Sequence, residues 1–326
     1  MNCLKRLVPS FALLIAASTL NASPAEPITS DQFDHWLQQV SNSGRWGSAD
    51  ELGTLNLIQP AQRKAAAALV SEGISISLSL PLNKQADASN PLPFEHELKV
   101  ELFGSQVVAG DRYTIEYHGA AHSHMDGLPH VLSKGKMYNG FPASDLQPGG
   151  ALHLGIENAH AGIVSRGVLV DMAWFKGVDY LAAGTAINIS DLEAWERRTG
   201  ITLGSGDVLL LRTGRWEQVR QTGSAMTLAS AAGLHASVAP CLHSRDVAVL
   251  GSDVVADVMP SGMADRAIPL HELALAAMGM PLLDNLDLDA AADYARQQKR
   301  WTFMFVGAPL RIPGGTGSPL NPLAIF

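Results

Sequence analysis

The 326-residue sequence is almost without cysteine: Cys3 and Cys241 are the only two. That scarcity excludes a disulfide-stapled scaffold and a cysteine-rich structural zinc site. No apolar stretch reaches the roughly 20 residues that a membrane-spanning helix needs. There is no basic excess either. Lys and Arg number 23 against 31 Asp and Glu, a formal net charge of −8, which argues against a nucleic-acid or anionic-membrane partner. The G-x-S-x-G elbow of serine hydrolases is missing, since Gly204-Ser205-Gly206 lacks its flanking pattern. No internal repeat or low-complexity linker divides the chain.

The longest apolar run lies at the N-terminus. Lys5 and Arg6 precede an apolar stretch from Phe11 to Leu20, and small residues surround Ala22 to Ala25. This is the three-part pattern of a secretory signal peptide. The expectation is a signal over residues 1–25, export to the periplasm or medium, and one large domain over 26–326. Loss of Lys5 and Arg6 takes the formal charge from −8 to −10, and Cys3 leaves with them. Cys241 then stands alone in an apolar setting, a packing residue rather than a nucleophile. With 47% apolar residues, the rest of the chain can bury a large core.

Periodicity predicts a mixed α/β or α+β fold. Helices are expected over 31–40, over 60–70 with Pro60 at its start, over 192–198 behind a capping box at Ser190 and Glu193, and over 271–278. Strands are expected over 74–80 and 112–117, with buried ones over 167–172, 207–211 and 247–250. A surface loop is expected over 83–93.

What the chain has in concentration is histidine. Of 11 histidines, four fall between residues 118 and 130, in YHGAAHSHMDGLPHV, together with Asp126. Neutral imidazole and carboxylate suit Zn²⁺, Mn²⁺ and related divalent ions. A strand starting near Tyr113 would carry His118, Ala120, His122, His124 and Asp126 on one face. His124 and Asp126 can then converge on one ion. His130, beyond Gly127 and Pro129, would return near it without binding it, where general acid/base chemistry needs a group. His153, His160, His235 and His243 show no ligand spacing, and Glu272 reads as solvent-facing.

The segment resembles the HxGTHxDxPxH signature of the cyclase family of metal-dependent hydrolases, which includes kynurenine formamidase, isatin hydrolase and trans-dienelactone hydrolase. His124, Asp126 and His130 align with its second histidine, its aspartate and its last histidine. Ala120 stands in place of the first histidine, His122 in place of the glycine, and Leu128 in place of the proline. His118 can take the missing ligand's part through a bulge eased by Gly119, or His122 can approach from the same face; the sequence leans to His118. RWGSADELGTLN (residues 45–56) and GDVLLLRTG (206–214) resemble two further family segments. His271 and Asp284 resemble a late region that supplies a histidine and a carboxylate near the metals, with aspartate where glutamate is usual.

The resemblance implies a swivelling β/β/α fold, a homo-oligomer, and hydrolysis of an amide, formamide, cyclic imide or lactone in a small-molecule substrate. It implies a divalent ion, Zn or Mn, held by His118 or His122 with His124 and Asp126. His271 and Asp284 would hold a second ion or orient the nucleophile, and His130 would carry the proton. The alternative is a non-catalytic periplasmic metal- or ligand-binding protein of the same fold, for which Ala120 is the main support. Arg212 reads equally as an active-site or an ion-pair residue.

Overall fold

The computed structural model describes residues 22–223 and 229–326. The signal expected over residues 1–25 lies mostly outside the described residues. The chain forms a mixed α/β domain around one large sheet. In chain order its strands are β1 (Ser75–Ser77), then β2 (Glu95–Phe103) and β3 (Gln106–Thr114), which pair only with each other, and β4 (His124–Asp126). They continue with β5 (Ile163–Asp171), β6 (Val208–Arg212), β7 (Val249–Ser252), β8 (Leu282–Asp284), β9 (Thr302–Gly307), β10 (Gly317–Pro319) and β11 (Leu323–Ile325). The sheet runs β1-β11-β9-β5-β6-β7-β8-β4-β10.

Its centre is parallel from β5 to β8, and its flanks are antiparallel. The sequence explains the division. Val208-Leu-Leu-Leu211 and Val249-Leu250 are apolar without alternation and fully buried, as strands covered on both faces must be. Helix α1 (Ser30–Gln39) opens on a capping box of Thr29 and Gln32, and α2 (Pro60–Ala67) has Pro at its start. α2 packs on β5 and β9.

Three expectations are corrected. Helix α3 (Ile189–Thr199) starts earlier than predicted, and its capping box is Asn188 with Asp191, not Ser190 with Glu193. The strand expected to run from Tyr113 toward Asp126 stops at Thr114, and residues 115–123 form no strand. Glu272 does not face solvent: its carboxylate accepts from Ser133 Oγ at 2.7 Å and Arg266 Nε at 3.1 Å.

Candidate metal centre

β4 is three residues long and lies between two other short strands. Asp284 of β8 and Pro319 of β10 flank His124, and Leu282 and Gly317 flank Asp126. The two-residue alternation of a strand puts His124 and Asp126 on one face while Met125 packs into the core on the other. His124 and Asp284 therefore meet because they are cross-strand partners. Gly317 matters here because a Cβ at that position would lie 2.4 Å from Met125 O and 2.9 Å from His118 Cε1. Only glycine lets the His118 ring lie against the strand edge.

Asp126 is the hub. Its Oδ1 lies 2.8 Å from His118 Nδ1, 3.3 Å from His124 Nε2 and 3.9 Å from His130 Nε2, and its Oδ2 lies 3.5 Å from His271 Nε2. His271 Nε2 is also 3.3 Å from Asp284 Oδ2. Two sets of potential donors result: His118, Asp126 and His130, and His124, Asp126 and Asp284. Asp126 belongs to both. The rings of His118 and His130 stack at 3.9 Å with 6° between planes and form the partly exposed side of the cluster. His124, Asp126, His271 and Asp284 form the buried side.

These residues fit a divalent cation on three grounds. Ligands at about 2.0–2.2 Å from one ion stand roughly 3 Å apart, the spacing seen around Asp126 Oδ1. Asp126 Oδ1, Asp284 Oδ1 and His118 Nδ1 are buried without an aligned hydrogen-bond partner, which costs free energy unless something else satisfies them. The histidine tautomers are also set for it. His124 Nδ1 lies 2.8 Å from the His122 carbonyl, which can only accept, so that nitrogen carries the proton and Nε2 faces Asp126. His271 Nδ1 lies 2.5 Å from Asp257 Oδ2 in the same manner, freeing Nε2 toward Asp126 and Asp284.

The electrostatics agree. Burial opposes charge on Asp126, but His124 and the neighbouring His118 and His271 hold its carboxyl well below the usual range. Burial likewise opposes charge on His271, yet Asp284, Asp126 and Asp257 raise its pKa well above the ordinary value. Without an ion, the carboxylates draw protons onto the imidazoles; a divalent cation would take the protons' place. His130 differs: burial lowers its pKa to about 4, against a weaker pull from Asp126, so its ring is neutral near pH 7.

The cluster opens onto a cleft of about 320 Å³ lined by Asn90, Pro91, Leu92, Glu116, His118 and Ala120. His122 is buried, and neither ring nitrogen has a partner; it joins neither donor set. Of the other histidines, His153 meets Glu51, His235 meets Ser237, and His243 meets Asn42.

The Cyclase family model matches residues 76–256, more than half of the chain. The chain belongs to the cyclase family. A crystal structure of a cyclase is 28% identical, covers 89% of this chain and 99% of its own, and superposes with a TM-score of 0.80. An isatin hydrolase bound to the product analogue thioisatinate is 19% identical, covers 81% and 95%, and has a TM-score of 0.55. Isatin hydrolase A from Ralstonia solanacearum is 21% identical, with the same coverage and a TM-score of 0.52. These last two establish the fold. No curated protein matched significantly.

Within the cyclase family frame, the altered first-histidine position now has a physical description. Ala120 is buried, and its carbonyl accepts from Arg215 Nη2 at 2.6 Å. Arg215 also bonds the Asn285 side chain, and Asn285 in turn donates to Gly119 O at 2.6 Å. This clamp holds the carbonyls of Gly119, Ala120 and His122, directly after His118, whose ring reaches Asp126. Asp257, Arg215 and Asn285 were not signalled by sequence spacing. Arg212 is buried at the C-terminal end of β6, where it pairs with Asp171 and Asp289.

Proposed function

We propose that this cyclase-family chain is an exported, metal-dependent hydrolase acting on a small molecule through an amide, formamide, cyclic imide or lactone bond. The observation that carries the reading is one buried carboxylate, Asp126, within 3.9 Å of four imidazoles at the edge of an open cleft. His124, Asp126, Asp284 and His271 would hold a zinc or manganese ion, and His118 with Asp126 a second. Such an ion supplies Lewis acidity, polarising a carbonyl and acidifying water. His130 is the group left to move protons, because its Nε2 stands farthest of the four imidazoles from Asp126 and its ring is partly exposed. The water oxygen bonds to the carbonyl carbon, and the C–N or C–O bond breaks. The proton that His130 takes from water ends on the leaving nitrogen or oxygen. The N-terminal signal pattern supports export.

The test combines metal content with turnover on panels of formamides, cyclic imides and lactones. Bound zinc or manganese together with hydrolysis of one panel supports the proposal. Metal without turnover on any panel would favour the non-catalytic binder. No metal, even after zinc and manganese are added back, overturns both.

A further inference from the structure

One wall of the cleft beside the histidine cluster is a loop that holds its own shape. Residues 83–94 close on themselves as an Ω-loop, with Phe94 N donating to Asn83 O at 3.0 Å. Inside it, the buried Asn90 side chain donates to the carbonyls of Asn83 at 3.1 Å and Gln85 at 2.7 Å. Asp87 Oδ1 accepts from the Ser89 amide and hydroxyl, both at 2.7 Å, and from the Asn90 amide at 2.9 Å. At the root of the loop Phe94 packs on His96 and Tyr113, with ring centroids 6.1 and 5.8 Å away. The loop thus turns these polar groups on itself. What it shows the cleft is Pro91, which has no amide hydrogen, and Leu92, which is 60% exposed.

A second part of the lining is apolar for a different reason. Gly119, Ala120 and Ala121 carry no side chain beyond a methyl group, and the carbonyls of Gly119 and Ala120 are already taken by Asn285 and Arg215. Ala120 puts a methyl group where the family signature carries an imidazole. Charge enters the lining at Glu116, two residues before His118. Its carboxylate is exposed and makes no hydrogen bond or ion pair among the described residues. Among those residues no lysine or arginine lines the cleft to balance it.

We infer that this cleft selects a small apolar molecule bearing a protonated amine: Pro91, Leu92 and the methyl groups of Ala120 and Ala121 cover its body, and Glu116 receives the ammonium. The inference rests on the hydrolase reading of the same cleft and names the class of substrate. The cleft's volume of about 320 Å³ lies at the small end of the range for ligand pockets, roughly 300–1,000 Å³. An apolar body strands few polar groups there, because the loop and the 119–120 carbonyls are bonded elsewhere. The unpaired carboxylate attracts a cation and repels a second carboxylate. Glu116 is exposed, so water screens the attraction; the preference should be about two- to fivefold and should shrink with added salt. Leu92 contributes more, and loss of its side chain should weaken binding roughly tenfold.

The test is binding, read by NMR titration of the full protein at its native metal content with three one-ring probes that differ in charge. These are benzyltrimethylammonium, whose quaternary nitrogen cannot ligate a metal, benzyl alcohol and benzenesulfonate. The wild type should bind the ammonium about two- to fivefold tighter than the alcohol, and the sulfonate most weakly. Glu116→Gln should bring ammonium and alcohol level, and Glu116→Lys should reverse the order. Leu92→Ser should weaken all three alike, and Glu95→Gln, on β2 outside the lining, should change none. Equal binding of the three probes by the wild type, an order indifferent to Glu116, or no binding of any probe at millimolar concentration overturns the inference. A protein that sorts the probes as expected yet hydrolyses none of the substrate panels keeps this inference and loses the hydrolase reading. A hydrolase blind to probe charge loses only this inference.

Discussion

Two groups of buried charge sit on the same sheet and behave in opposite ways. At the end of β5 and β6, Arg212 Nη1 meets Asp171 Oδ1 at 3.0 Å and its Nε meets Asp289 Oδ1 at 2.7 Å. Arg296 takes the other oxygen of Asp171 at 2.9 Å, and Arg220 takes that of Asp289 at 2.5 Å. Each oxygen of these two carboxylates has a guanidinium, a fixed cation that never gives up its proton. At β4 and β8 the carboxylates are buried too, but their partners are imidazoles, and Asp126 Oδ1 and Asp284 Oδ1 have no aligned donor. The first group is a closed strut. The second can trade protons for a divalent ion. Burial of charge therefore does not identify a site; the kind of cation beside it and the oxygens left over do.

The contrast breaks most completely at Asp126. Asp126→Ala removes the donor common to both sets, and metal content measured by plasma mass spectrometry should fall from about one or two equivalents to none, with all turnover. His130→Ala should hold its metal and lose about 10²–10⁴ in kcat, read by parallel metal analysis and steady-state kinetics. Arg212→Leu tests the other side. Taking one of two guanidiniums from Asp171 and one from Asp289 should cost up to about 3–5 kcal/mol in denaturant unfolding, while metal per folded molecule stays unchanged. Asp257→Asn, which weakens the hold on His271 Nδ1, should raise the metal dissociation constant about 10–100-fold, as read by chelator competition.

The smallest effect sharpens the comparison by pH. The folded pKa of His271 is raised, and that of His124 rises too because Asp126 and Asp284 outweigh its burial. In metal-free protein the stabilisation from their charged rings is complete below about pH 6.5. It is lost as pH climbs through the raised folded values. The melting temperature of the chelated protein should thus decline above neutrality. The metal-loaded protein should run the other way, since its ligands bind deprotonated. Parallel slopes with and without chelator would sink the assignment.

Sequence reading went furthest where chemistry was local. His118, His124, Asp126 and His130 fall within thirteen residues, and the alternation of His124 and Asp126 is a strand property that survived even though the strand is only three residues long. His271 and Asp284 were reachable through family likeness, not spacing. Asp257 was not reachable, because a single aspartate in VVADVMP carries no signal until the fold brings it to His271. Arg215 and Asn285 act through carbonyls of residues 119–122, a contact that no pattern encodes. Of the β2–β3 hairpin only the end of β3 was read, within the strand expected over 112–117, although HELKVEL alternates and Gly104-Ser105 is a two-residue turn. Three of the four central strands, β5, β6 and β7, were read as buried from unbroken apolar runs, since that cause is also local, whereas β8 was not read as a strand.

The short β4 strand has a consequence in time. Its hydrogen-bonding neighbours are residues 282–284 on one side and 317–319 on the other. A growing chain that has just emitted its histidine-rich segment has nothing to dock it against until more than 150 further residues follow. Closing loops of that length is slow and late in folding. The donors are therefore scattered during synthesis and assemble only near the end of folding. Ion loading would then be a final, post-folding step, and its rate should track the docking of the C-terminal strands rather than the encounter with metal.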